Sequence, residues 1–211
     1  MTELVFILDR SGSMYGLEQD TIGGFNSMLT KQKALQDEAY VTTVLFDHTI
    51  RTLHDRLSLQ QVQPMTESDY TIGGSTALLD AVGSTIKHIA RIHKYAHPDH
   101  KPHKTLFVII TDGMENASRE YTYDMVKELI SHEQEKYGWE FLFLGANIDA
   151  VSEGARFGIA PDRAVTYKCD EKGTALNYDV LSDAIGSVRM CGGIRNDWSA
   201  PIRSDVKKRG K

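Results

Sequence analysis

The chain has 211 residues, 41% hydrophobic and 25% charged, with a formal net charge of −5. This size and balance suit one α/β domain with a real core, and the acidic surplus excludes nucleic acid as the main partner, since phosphate binding needs a basic face. Two cysteines that form no Cys-x-x-Cys pair exclude a disulfide framework and thiolate-held zinc, no apolar run approaches the roughly 18 residues of a membrane span, and the first residues lack a leader's pattern, so a cytoplasmic location is expected.

Strands and helices alternate along the chain. Residues 3–8 form a first strand, apolar on both faces, as in a parallel strand covered by helices on each side. A helix over about 17–37 follows, with Ile22, Phe25, Met28, Leu29 and Leu35 near one stripe. Gly23 and Gly24 either weaken it or let something pack close. Residues 40–46 form a second strand, Asp47-His48 a tight turn, and Thr49–Leu53 a short antiparallel edge strand.

After Ser75-Thr76, the residues Leu79, Val82, Ile86, Ile89 and His93 fall at helical spacing. Strand four runs over Lys104–Thr111 and a helix spans 122–136. Strand five covers Glu140–Leu144, and a short helix covers 149–156. Strand six is Ala164–Tyr167, and the last helix spans 174–189. The pattern predicts a doubly wound, mostly parallel six-stranded sheet with one antiparallel edge strand and helices on both faces. The domain is expected over 1–190, followed by an irregular, basic tail over 191–211 that includes Arg203, Lys207, Lys208, Arg209 and Lys211.

Three loops carry the chemistry. The first strand ends in Asp9-Arg10-Ser11-Gly12-Ser13, strand four ends in Thr111-Asp112-Gly113, and Gly73-Gly74-Ser75-Thr76 lies between them. Ligands of such sheets bind beyond the carboxyl ends of strands, where strand order reverses. If strands one and four are neighbours there, Asp9 and Asp112 emerge side by side. Carboxylates and short hydroxyls at one edge are the donor set of a hard divalent cation. Each motif alone also fits a helix cap or a tight turn.

The three motifs, in this order, together resemble the von Willebrand factor type A family over about residues 2–190. The resemblance implies a metal-ion-dependent adhesion site. Ser11 and Ser13 would bind Mg²⁺ through their hydroxyls, with Mn²⁺ or Ca²⁺ as alternatives, and Thr76 would bind directly or through water. Asp9 and Asp112 would accept hydrogen bonds one shell out. Neutral donors leave the ion's charge uncancelled, so it favours an Asp or Glu carboxylate from a partner protein. Arg10, Tyr15, Glu115 and Asn116 would form the rim. By family analogy, the expected role is an intracellular adaptor or scaffold.

The enzymatic rival is a Mg²⁺-dependent phosphohydrolase of the haloacid-dehalogenase kind with Asp9 as nucleophile. Position 11, where that chemistry usually has a second acid, is a serine. No nucleophile elbow or phosphate-binding glycine loop occurs, and no catalytic residue is assigned. Five histidines cluster at His88, His93, His97, His100 and His103, and a zinc or nickel site is the sharper reading of them. The helix after Thr76 carries them away from the carboxylate edge, so His93 reads as a packed core residue and the others as a solvated loop.

Overall fold

In the computed structural model, which describes residues 1–210, six strands form one sheet in the order β3-β2-β1-β4-β5-β6. They are β1 (Thr2–Asp9), β2 (Ala39–Phe46), β3 (Ile50–Ser58), β4 (Lys104–Thr111), β5 (Glu140–Ala146) and β6 (Ala164–Tyr167). All pairings are parallel except β2 with β3. The helices are α1 (Glu18–Lys33), α2 (Leu78–Tyr95), α3 (Tyr123–Tyr137), α4 (Ala150–Arg156), α5 (Glu171–Cys191) and α6 (Ala200–Arg209). The expected doubly wound architecture is the observed one.

Alternation along the strands divides the core in two. Leu4, Phe6 and Leu8 of β1 join Leu106, Val108 and Ile110 of β4 under α1, α5 and α6. Val5 and Ile7 join Phe107 and Ile109 under α2, α3 and α4. Both strand faces are dry, which is why these strands read as continuous apolar runs rather than as alternating ones. Strand order reverses between β1 and β4, whose register pairs Leu8 with Ile110. Asp9 and Asp112 therefore leave adjacent strands at the same edge.

Gly24 shows what a missing side chain contributes. A Cβ there would lie 2.3 Å from Tyr178 Cδ2, so the glycine lets the α5 ring lie directly on α1. Gly23 has nothing within 4 Å of the same position. α3 is capped by the Thr122 hydroxyl, which accepts from the Met125 amide, and closes on left-handed Gly138. Both Cys169 and Cys191 are free thiols.

Two expectations need correction. The edge strand β3 runs to Ser58, well past Leu53. Its charged and polar residues gave no alternating apolar signal, and its length is set by pairing with β2. The segment after residue 190 is not irregular throughout, because it contains α6. Ile202 and Trp198 are buried, and the Trp198 indole N–H donates to the Asp162 carbonyl at 2.8 Å. Two apolar anchors among many charges were too few to give a helical stripe in the sequence. Among the described residues, no helix is long and apolar enough to cross a membrane.

Candidate functional site

The site is built from three loops at the carboxyl edge of β1 and β4. The first loop leaves β1 with its backbone held on both sides. The Arg10 amide donates to the Phe46 carbonyl at 2.8 Å, and the Gly12 amide to the Gly74 carbonyl at 3.0 Å. Returning, the Gly73 amide donates to the Arg10 carbonyl at 2.8 Å. The second loop is thereby clamped against the first. The third is tied to the second through Asn116, whose Oδ1 accepts from the Thr76 amide at 2.9 Å while its own amide donates to the Thr76 carbonyl at 3.0 Å.

Side-chain hydroxyls converge inside this clamp. Ser11 Oγ and Ser13 Oγ lie 3.1 Å apart, and Ser13 Oγ donates to Asp112 Oδ1 at 2.6 Å. A Cβ at Gly113 would sit 3.2 Å from Thr76 Oγ1, 3.3 Å from Ser13 Oγ and 3.9 Å from Ser11 Oγ. Thus three hydroxyls from two loops face one small volume that the third loop leaves open only because position 113 lacks a side chain.

The carboxylates sit behind the hydroxyls. Asp9 is 1% exposed; its Oδ1 accepts from the Ser11 amide at 2.7 Å and its Oδ2 from the Thr111 hydroxyl at 2.6 Å. Asp112 Oδ2 is buried without a hydrogen-bond partner among the described residues. Neither acid is in an ion pair among those residues, because the nearby Arg10 guanidinium turns to Asp47 at 3.4 Å. Neutral donors in front, two unneutralised carboxylates behind and one buried orphan oxygen together suit a hard cation and its bound water. No three His, Cys, Asp or Glu side chains among the described residues are grouped to hold a metal, so a cation here depends on the hydroxyls.

Burial pushes the Asp9 carboxyl up to about 6; the Thr111 and Ser11 bonds oppose the rise and the Asp112 charge adds to it. Burial likewise raises Asp112, against the Ser13 bond. The metal-free folded chain therefore keeps a proton on Asp9 that the unfolded chain releases near pH ~4. Its stability should fall as pH rises between the two values and level off above them, by up to roughly 3 kcal/mol. Thermal melts in EDTA across that window should show the slope, and Asp9→Asn should remove its Asp9 component.

The rim residues differ in their freedom. Tyr15 is 82% exposed. Arg10 is held by the Thr71 carbonyl, the Thr49 hydroxyl and Asp47. Glu115 accepts from the Leu79 amide and from three groups of the loop it belongs to, so its carboxylate anchors the start of α2. Sequence reasoning missed Met114, which is 57% exposed beside Gly113. It also missed Thr111, which orients Asp9, and Tyr70, whose hydroxyl donates to the Asp9 carbonyl. Asp47 could have been found, since it follows a buried parallel strand at the edge that Asp9 and Asp112 share.

The histidines lie elsewhere. His93 packs edge-on against Trp139 and lies 3.3 Å from Glu3 Oε2, while His88 lies 2.7 Å from Asp55.

No family model matches the chain, and no curated protein sequence matches it. Solved structures do match. Proximal thread matrix protein 1 from the mussel byssus, in a structure with a zinc-occupied MIDAS motif, superposes at TM-score 0.56 with 13% identity, covering 87% of this chain and 47% of that one. A von Willebrand factor type A protein from Catenulispora acidiphila gives 0.55 and 16%, covering 87% and 42%. The fold is that of a von Willebrand factor type A (vWA) domain. The ArnB paralog VWA2 from Sulfolobus acidocaldarius gives 0.53 and 17%, covering 87% and 44%. This chain spans less than half the length of each of these proteins. Within the vWA fold, the clamped loops lie at the strand-order reversal between β1 and β4.

Proposed function

We propose that this chain is a metal-dependent protein-binding module that captures an acidic side chain of a partner protein through a Mg²⁺-type ion. The observation that carries the reading is the convergence of the Ser11, Ser13 and Thr76 hydroxyls on the space beside Gly113. Ser11, Ser13 and Thr76 would hold the ion, Asp112 would accept from its water, and Asp9 would orient the serine loop from behind. Asp112 Oδ2, buried and unpartnered, is the acceptor such a water needs. When bound, the ion supplies a positive charge that neutral hydroxyls leave uncancelled, which an outside carboxylate completes. Zinc in the MIDAS motif of the mussel byssus protein supports a divalent ion on this fold. Tyr15 and Met114, both exposed at the edge of the site, would select the partner. The role we infer is that of an intracellular adaptor or scaffold.

The burial of Asp9 works against a phosphohydrolase reading. A nucleophilic carboxylate needs an oxygen free to attack, and both Asp9 oxygens are engaged by Ser11 and Thr111 at 1% exposure.

Calorimetric titration with Mg²⁺ should give one saturable site, weakened at least about 10–100-fold in Ser13→Ala, since losing a ligand costs no less than losing one of its supporting groups. A carboxylate-bearing peptide resin should retain the chain with Mg²⁺ and release it in EDTA. Retention that survives EDTA unchanged would count against the proposal.

A further inference from the structure

A cavity lies at the opposite end of the sheet from the vWA loops. It encloses about 690 Å³ between the C-terminal ends of α2 and α3 and the loop entering β4. That volume lies in the range of small-molecule sites. Its lining sorts into three chemical parts.

The mouth is cationic. Arg91, Lys94, Lys101 and Lys136 all line it, and none forms an ion pair among the described residues. Four cations around one cavity whose described lining holds a single carboxylate, Glu133, are unexpected on a chain of net charge −5 and favour an anion. Two rings stand beside them. Tyr95 and Tyr137 are 74% and 57% exposed, each with a lysine ammonium over one face, at 5.4 and 5.2 Å. Exposed rings interleaved with cations are suited to stacking a flat heterocycle.

The floor is a buried acceptor. Glu133 is 5% exposed, lines the cavity, and its Oε2 has no hydrogen-bond partner among the described residues. Burial raises its carboxyl, with His132, His93 and Lys136 acting in the opposite direction. Trp139 lies beside it, stacked on Phe107 at 5.2 Å. An unpaired buried carboxylate oxygen is costly unless a ligand donates to it. A bare phosphate would bring its negative charge against that carboxylate, whereas a neutral heterocycle's N–H donates without it.

We propose that this cavity binds a purine nucleotide, with the phosphate on the lysine and arginine mouth, the ring along the tyrosines and an N–H edge of the base on Glu133. Guanine fits best, because its adjacent ring and exocyclic N–H groups match a carboxylate's two oxygens. The proposal is independent of the metal-dependent reading and concerns the other pole of the fold.

The test is calorimetric titration of the full chain in EDTA, with guanosine 5′-monophosphate, adenosine 5′-monophosphate, guanosine and inorganic phosphate as probes. The expected result is saturable binding of guanosine monophosphate. Guanosine, which lacks the anion, should bind at least about tenfold more weakly, and the nucleotide's affinity should fall with salt. Glu133→Gln should weaken the nucleotide by about tenfold or more in a chain whose thermal melt shows it folded. The surface variant Lys94→Glu/Lys136→Glu should do the same and lose much of the salt dependence. Three results would each overturn the proposal: no saturable binding of either nucleotide, inorganic phosphate binding as tightly as the nucleotide, or an unchanged affinity in Glu133→Gln. EDTA removes any contribution from the hydroxyl site, so failure of one site is distinguishable from failure of the other.

Discussion

Gly113→Ala should abolish divalent-ion binding while leaving the metal-free fold nearly as stable as before. The added methyl would lie 3.2 Å from Thr76 Oγ1 and 3.3 Å from Ser13 Oγ. Both neighbours are side-chain oxygens rather than backbone, so without the ion they can give by a few tenths of an ångström, Ser13 by loosening its bond to Asp112. The ion has no such freedom, since Mg²⁺ demands near-octahedral oxygens at roughly 2.1 Å and tolerates little distortion. A carbon among the three hydroxyls occupies the volume they would share. The expected loss of Mg²⁺ affinity is about 100-fold or more, beyond what loss of one supporting group gives. Titration calorimetry alongside a thermal melt in EDTA separates the two effects. Wild-type affinity in this variant would place the ion somewhere other than beside Gly113.

Gly73→Ala should be strongly destabilising. A Cβ there would lie 1.8 Å from Asp47 Oδ2 and 2.8 Å from its Cγ. Asp47 is not free to leave. Its side chain is 3% exposed, and its Oδ1 accepts from the Thr49 amide and hydroxyl at 2.6 and 2.7 Å while Oδ2 faces Arg10. Burial pushes this carboxyl up, but the Thr49 bonds, Arg10 and His48 together outweigh it and hold the group below its ordinary range. If the backbone moves instead, the bond from the Gly73 amide to the Arg10 carbonyl breaks, and with it the clamp that positions Thr76. Displacing one member of a buried charge pair in a packed site costs about 3–5 kcal/mol. Urea unfolding of Gly73→Ala, Asp47→Ala and the double variant gives the coupling directly. The double variant should be less destabilised than the sum of the singles, because removing the carboxylate removes the clash.

Much of this was legible in the sequence, for physical reasons. The strands β1, β2, β4 and β5 are dry on both faces, so their apolar runs announced them. That Asp9, Ser11, Ser13, Thr76 and Asp112 meet at one edge was expected from three motifs in order and their resemblance to the vWA family, since each motif alone fits a cap or a turn. What escaped was decided by tertiary partners. Thr111 reads as the end of a strand until its hydroxyl is seen on Asp9. Asp47 reads as a turn residue until Gly73 and Arg10 close on it. Tyr70 sits in a stretch without periodicity, yet its ring is buried and its hydroxyl reaches the Asp9 carbonyl. Glu115 and Asn116 read as rim residues from adjacency alone, whereas their side chains accept from the backbone amides of Leu79 and Thr76.

The two margins of the sheet differ in construction but agree in effect. On one side, β3 is bulged against β2, and Arg56 takes a left-handed conformation, φ 48°, with its guanidinium reaching the His100 carbonyl. On the other, β6 is only four residues long, and Arg203 from α6 donates to the carbonyls of Ala164 and Pro161. Irregular, charged or covered margins resist strand addition. Both flanks thus discourage edge-to-edge aggregation and the docking of an extended peptide as a seventh strand.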